Sequence, residues 1–368
     1  MRSDIISNYS RTNTSTQHNI LTMTLLPTLL LPLILFWTRS SASTDDDTFS
    51  SYIGYSTLAK MPYPLSHATA VLFKAMEMVR DPTTDVDYSW RVVPEDRIYF
   101  FGGCTSGQAC TTSSSGARKC TCASVTNRCV YYRPMTNTWG TCASAPIARH
   151  RHAWAKAYGK VYLFGGQRAD GSIVTQIDVY DVLSNKWDIG IQWPDATTDA
   201  VAWGVDDAQS VYVAGGFDQN NVASNAVTRF DVVVRKAILD TPNMLHARGA
   251  GQVLQVGNLY YVMGGYSAAV GLTATGACSQ PVHWAEVYNS LNNRWFQLPD
   301  QLYGRASLAM GTNYKNLVFA IAGETIDASD PTCSDVVPVP TVGLFNSSSN
   351  TWSTVDSLPS SNRFRYIR

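Results

Sequence analysis

Charge is scarce in this chain. Only 15% of its 368 residues are Asp, Glu, Lys or Arg, and 28 basic residues face 28 acidic ones. A soluble domain ordinarily carries about a quarter charged residues. No basic run marks a nucleic-acid footprint, so nucleic acid is not an expected partner. The chain also lacks a glycine-rich phosphate loop, an H-E-x-x-H zinc helix and a nucleophile elbow, and no motif calls for a cofactor or a metal. Helical periodicity is missing beyond residue 50, which leaves an all-β chain. Long apolar runs are absent with one exception, LTMTLLPTLLLPLILFW at 21–37. Seventeen uncharged residues are short for a membrane span and suit a signal-peptide core. Residues 1–43 therefore read as a signal peptide cleaved near Ala42, or as an uncleaved anchor that tethers the rest to a membrane. A wrongly chosen start is the third reading. The first two place the remainder outside the cell, secreted or carried on a single-pass anchor.

Cysteine is sparse but clustered. Six of the eight fall between 104 and 142 (Cys104, Cys110, Cys120, Cys122, Cys129 and Cys142), and Cys278 and Cys333 follow. An even count in an oxidising compartment predicts disulfides, with many pairings open. Cys278 and Cys333 sit at similar points of consecutive repeats and are candidates to pair with each other. Free thiols in a cytosolic protein are one rival and a metal site the other, but Cys120-x-Cys122 is not the usual C-x₂-C spacing and no histidine lies nearby.

What the chain has in quantity is glycine (25), tyrosine (19) and tryptophan (10), the mixture of many short strands and tight turns. They recur periodically. IYFFGG (98–103), VYLFGG (161–166), VYVAGG (211–216) and YYVMGG (260–265) each end a strand in a glycine pair. VFAIAGE is a fifth copy, read as the weaker pair Gly323-Glu324. First glycines at 102, 165, 215, 264 and 323 are 63, 50, 49 and 59 residues apart. Each copy is followed by a strand, a polar turn and a bulky residue, as in VYDVLSNKW (179–187) and VYNSLNNRW (287–295). In the third copy Ala237 and Ile238 replace the tryptophan region, so that unit should be less firmly anchored. A proline-containing loop and another strand complete each unit. Four antiparallel strands per unit cannot bury both faces alone, whereas radial stacking buries both.

Tyr180 and Trp187 after Gly165-Gly166, and Tyr288 and Trp295 after Gly264-Gly265, carry the pattern of the kelch-repeat family, which the chain resembles over roughly residues 50–368. The resemblance implies an all-β kelch-type propeller of four-stranded blades at 61–368, with a cysteine-rich insertion at 104–142. Residues 44–60 form an N-terminal segment. Residues 50–61 read as the outer strand and exit loop of a closing blade, and residues 358–368 as the first strand of one. Five repeats are visible, so the sequence fits a five-bladed ring or a six-bladed ring truncated at its C-terminus.

Arg149, Arg248, Arg305 and Arg363 recur in the loops entering each blade, with His67, His150, His152 and His246 beside them. Guanidiniums repeated around a channel mouth would favour an anionic ligand. The same arginines are equally suited to hydrogen-bond loop carbonyls and pin neighbouring blades. Trp90 and Trp284 are candidate stacking residues, and the insertions are candidate binding loops. Asn346-Ser347-Ser348 is a glycosylation acceptor at a blade turn. The leading expectation is a non-catalytic extracellular module that presents its loops and arginines to a protein or an anionic carbohydrate. A structural wall or matrix component is one alternative, and a carbohydrate-active enzyme on the same scaffold is the other. Resemblance to bacterial sialic-acid mutarotases would suit the arginines, but no acid–base pair can be assigned. Resemblance to copper radical oxidases lacks an assignable Tyr–Cys pair. Glu324, Asp327, Asp330 and Cys333 have the wrong spacing for the iron site of plant specifier proteins. The oligomeric state is left open.

Overall fold

The computed structural model describes residues 19–20, 37–38, 58–75, 78–79, 91–112, 118–205, 209–267, 281–313, 317–327, 329 and 336–357. Within them lie five four-stranded antiparallel sheets and no helix. Blade 1 runs outward from the axis through Thr69–Phe73, Arg97–Phe101, Cys129–Arg133 and Thr138–Cys142. Blades 2 to 5 repeat this order at 153–192, 201–238, 252–297 and 309–357. The expected all-β propeller is therefore what forms. Two-residue alternation explains why the sheets stack. In blade 2, Tyr162, Phe164 and Val179 join a core with blade 3, while Val161, Leu163 and Tyr180 join a core with blade 1. Each middle blade thus buries both faces.

The glycine pairs turn the chain where blades crowd together. Gly102 and Gly103 have φ of 60° and 103°. A Cβ on Gly103 would meet Leu65 and the Ser66 carbonyl at 2.7 Å, so only glycine fits. The second glycine of each pair donates its N–H to the next blade: Gly103 to Arg149 O, Gly166 to Thr197 O, Gly216 to Arg248 O and Gly265 to Arg305 O. The fifth pair corrects the sequence reading by one residue. Glu324 bridges Ala306 as Gln167 bridges His150, so the pair is Ala322–Gly323, with φ of 54° and 105°. Alanine tolerates the first position well enough for the turn to survive.

The tryptophans lock each blade to the loop before it. Trp187 Nε1 donates to Ala143 O at 2.8 Å, Trp295 Nε1 to Pro242 O at 2.9 Å, and Trp352 Nε1 to Pro299 O at 2.9 Å. Trp139 Nε1 does the same to Ala59 O at 3.0 Å. The turn asparagines are left-handed, with φ of 54–55° at Asn137, Asn185, Asn293 and Asn350. The first three each accept the blade tyrosine hydroxyl (Tyr132, Tyr180 or Tyr288) at 2.8 Å. Blade 3 lacks this lock, because Ala237 stands opposite Phe230 where tryptophan stands elsewhere. Trp193, from the loop leaving blade 2, fills the space and packs on Phe164 at 4.9 Å.

The disulfide Cys104–Cys122 closes the hairpin inserted in blade 1, and Cys129–Cys142 joins the two outer strands of that blade. Cys110 and Cys120 stand opposite each other in the same hairpin. Cys278 and Cys333 lie outside the described residues, as does the apolar run from 21 to 36. Among the described residues no helix is long and apolar enough to cross a membrane.

Candidate functional site

Of the two roles open to the arginines, the geometry fills the pinning one. Arg149, Arg248 and Arg305 are at most 1% exposed. Arg149 Nη1 donates to Gly165 O and Gln176 O at 3.1 and 3.0 Å, and Nη2 to Asp178 Oδ2 at 2.5 Å. Arg248 repeats the arrangement with Gly264 O, Trp284 O and Glu286 Oε1. Arg305 donates to Ala320 O, Ala322 O, Thr341 O and Thr341 Oγ1. No carboxylate reaches it among these partners, because Gly343 occupies the position of Asp178 and Glu286. Burial pulls all three guanidinium pKa values down, Arg305 to about 10. Blade 1 puts Leu65 and Val130 at the two clamp positions, and they share one apolar cluster. Blade 3 puts Thr197 and Thr228 there. The clamp is thus a blade-packing device with charged, half-charged and apolar versions. Arg363 and Trp90 lie outside the described residues.

The true inner rim is one step further on, at residues of which the sequence singled out His67 alone. His67, Arg151, Asp199, Ala250 and Ser307 have φ between 50° and 58°, and each donates its N–H to the carbonyl of the one before it, from Arg151 onward. Among the described residues this ladder links the entry loops of the five blades in order. Its side chains include an ion pair, Arg151 Nη2 to Asp199 Oδ2 at 2.5 Å. His150 stands beside them, 2% exposed, with its ring at 6.2 Å from that of His67. Burial, with help from His67, lowers the His150 pKa to about 3. His152 is buried against Thr69 Oγ1 at 2.6 Å, and burial drives its pKa well below the usual value. Both imidazoles are therefore neutral at pH 7. His246 stacks on Trp284 at 4.4 Å and lies 3.9 Å from Glu286. Trp284 is therefore engaged by its own chain. No group of three or more His, Cys, Asp or Glu is placed to hold a metal ion among the described residues.

Every loop that follows a glycine pair, and every loop that enters a blade, leaves the same side of the ring. Antiparallel bridges tie them together at Ser66–Cys104, His150–Gln167, Thr198–Phe217, Gly249–Tyr266 and Ala306–Glu324. The hairpin Cys104–Thr112/Arg118–Val125 rises from this side in blade 1. A signal for it was present in the sequence. Residues 97–169 contain no Asp or Glu and ten Lys or Arg, although the whole chain is neutral. Among the described residues Arg97 and Arg133 share Glu95, Arg149 has Asp178 and Arg151 has Asp199. Arg128 is exposed at the base of the hairpin, its guanidinium 5.3 Å from the Tyr63 ring. Arg168 reaches Ser172 Oγ at 3.3 Å.

A model of the kelch motif matches residues 148–190 and 248–301. The chain is a propeller that carries kelch repeats. The matched stretches are blades 2 and 4, the two that hold the arginine–carboxylate clamp, the tyrosine and the tryptophan together. No curated protein matches the chain. Among solved structures, one described as "Structure of YjhT" is 16% identical, with a TM-score of 0.56, over 88% of this chain and 91% of that one. That likeness covers the propeller over the blades the motif model does not reach, and it speaks to fold alone.

Proposed function

We propose that this kelch propeller is a non-catalytic extracellular binding module whose ligand is an anionic glycan or an acidic protein segment. Propellers commonly serve interaction, because a rigid ring holds variable loops at low ordering cost. The observation that carries the reading is the part of the acid-free segment 97–169 that lies on the glycine-pair side of blades 1 and 2. Arg118 and Lys119 lie on the stapled hairpin there, and Arg128 and Arg168 lie on the same side. Field from such one-signed charge steers anions, and guanidinium planes bind carboxylates or sulfates in bidentate fashion. The buried clamps Arg149, Arg248 and Arg305 support the scaffold rather than the ligand. Secretion fits the disulfides and the apolar run, and Asn346 at an exposed turn would carry a glycan. An enzyme reading on the same scaffold would need a proton donor and acceptor pair. Of the three histidines beside the rim, His67, His150 and His152, the last two are buried and held neutral.

The test is retention on immobilised polygalacturonate against a neutral galactan, over a salt series. The expected result is salt-sensitive retention on the acidic polymer alone, lost by at least tenfold in the Arg118→Gln/Lys119→Gln/Arg128→Gln variant with an unchanged thermal midpoint. Equal retention on both polymers, or no effect of the triple variant, would sink the basic-face reading. Substoichiometric turnover of a sugar would move the protein to the enzyme class.

A further inference from the structure

One place recurs in every blade, where the residue two before the entry-loop clamp position meets the residue two before the strand clamp position. Most blades fill it with their own chain. In blade 4 these residues are His246 and Trp284, whose rings stack at 4.4 Å. In blade 3 Asp195 accepts from Thr228 Oγ1 at 2.5 Å. In blade 5 Thr341 Oγ1 accepts from Arg305, whose guanidinium lies 5.9 Å from the Tyr303 ring. Blade 1 puts Tyr63 and Arg128 there and leaves the place open. Leu65 and Val130 hold its clamp positions, so no arginine spans loop and strand as in blades 2, 4 and 5. A cleft of about 480 Å³ results, lined by Tyr63, Arg128, Val130, Trp139 and the Cys129–Cys142 disulfide. Arg128 is exposed, with its guanidinium 5.3 Å from the Tyr63 ring. Among the described residues no carboxylate pairs with it. Tyr63 Oη is buried and has no hydrogen-bond partner. Burial raises its pKa, so the hydroxyl stays protonated and keeps a proton to donate.

We propose that this cleft is a subsite for one carboxylated sugar residue of an anionic glycan, with the carboxylate on Arg128. The proposal rests on the glycan half of the reading above and assigns its specific contact to blade 1. A guanidinium takes a carboxylate through two parallel hydrogen bonds. Tyr63 and Trp139 offer ring surface to the C–H face of a pyranose, and the Tyr63 hydroxyl is a donor for one of its oxygens. Aromatic walls with a few placed polar groups are the usual make-up of a small-ligand site. The volume also fits, since such sites span about 300–1,000 Å³. A lone aspartate or glutamate side chain would leave most of that space empty, which favours a sugar over an acidic peptide. No acid between 97 and 169 opposes an incoming anion. The walls are set before the ligand arrives. Trp139 is held by its bond to Ala59 O and its contact with Phe100 at 5.4 Å, and the disulfide ties together the two strands that carry Arg133 and Trp139. Binding then spends little on ordering side chains.

The experiment is calorimetric titration of the full chain with trigalacturonate, against neutral galactotriose and a capped hexaglutamate peptide. Trigalacturonate should bind and the other two should not. Arg128→Gln should weaken it at least tenfold. Tyr63→Phe, which changes neither charge nor ring surface, should weaken it at least threefold with an unchanged thermal midpoint. Arg118→Gln/Lys119→Gln, on the hairpin outside the cleft, should stay within twofold of the parent. Unchanged affinity in Tyr63→Phe, or an equal loss in the hairpin variant and Arg128→Gln, overturns the cleft in favour of diffuse attraction. Tighter binding of hexaglutamate overturns it in favour of an acidic protein segment. The two readings fail separately. Retention on polygalacturonate without trigalacturonate binding overturns the cleft and leaves the basic face standing. Trigalacturonate binding that Tyr63→Phe weakens, without salt-sensitive retention on the polymer, leaves the cleft standing and removes the basic face.

Discussion

Replacing Asp178 by asparagine should destabilise the propeller by about 3–5 kcal/mol, the usual effect of removing one partner from a buried ion pair. Arg149 and Asp178 are both 0% exposed and 2.5 Å apart. Asp178 Oδ1 also accepts from Gln176 Nε2 at 2.6 Å. Asparagine offers one oxygen and one NH₂, so one of those two donors must face another donor. The guanidinium meanwhile keeps its desolvation and loses its counter-charge. For a chain of this size the thermal midpoint should fall by about 6–15 °C, taking roughly 2–3 °C per kcal/mol. The companion variant is Arg149→Leu/Asp178→Val, which installs in blade 2 the pair that blade 1 carries at Leu65 and Val130. Apolar replacement of a whole buried pair is often neutral or stabilising. The double variant should therefore lie within about 1 kcal/mol of the parent, although it removes more. Urea and thermal unfolding followed by circular dichroism decide it. A single variant within about 1 kcal/mol of the parent, or a double variant worse than the single, would refute the account of the clamp.

Blade 5 supplies the reverse case: Gly343→Asp should stabilise, because a Cβ there meets Trp352 at an ordinary 3.5 Å and the carboxylate would reach the uncompensated Arg305, as unfolding midpoints would show. Stability should decline as pH falls from about 6.5 towards 3. His150 and His152 take up protons in the unfolded chain first; His150 contributes a slope of up to about 1.4 kcal/mol per pH unit in that window, and His152 acts in the same direction. His150→Gln/His152→Gln should flatten the acid limb relative to the parent, and parallel limbs would remove the histidines from the explanation. Asn185→Ala should cost about 2 kcal/mol, since Asn185 accepts from Tyr180 Oη and the Ala143 N–H and holds φ of 54°. Asn185→Gly, which restores the backbone but not the bonds, should recover only part of the loss. Removing Cys129–Cys142, a link across 13 residues, should cost about 2–4 kcal/mol in unfolding experiments without reductant.

The architecture was legible because it is written in small, repeated signals. Glycine pairs, spaced tyrosines and tryptophans and turn asparagines each impose a local geometry, and their period reveals the blade. The fifth pair was misread by one residue because alanine can hold φ of 54° at Ala322, which a search for two glycines cannot see. The arginines were legible as a repeat but ambiguous in role. Side-chain direction decides between a rim and a clamp, and it follows from the carboxylates at Asp178 and Glu286, more than 25 residues away. The rim ladder left no residue-type signature at all. His67, Arg151, Asp199, Ala250 and Ser307 share a backbone conformation and nothing chemical. The basic face was visible as a 73-residue stretch without an acid, but a neutral total charge hides such an imbalance.

The joint between blades 2 and 3 differs in kind from its neighbours. Elsewhere an indole N–H from one blade holds the loop of another, so parting the blades breaks a directional bond as well as apolar contact. Here Trp193 plugs the seam by packing, and the opposing position is Ala237. The seam keeps its inner bonds, Gly166 N–H to Thr197 O and the Arg151–Asp199 ion pair, but it lacks the indole bond that its neighbours add further out. Under slow force or mild denaturant the ring should therefore open first at this seam, as a clasp opens at its catch. Blades 1 and 2 would come away with the basic face and its stapled hairpin intact on one half of the broken circle.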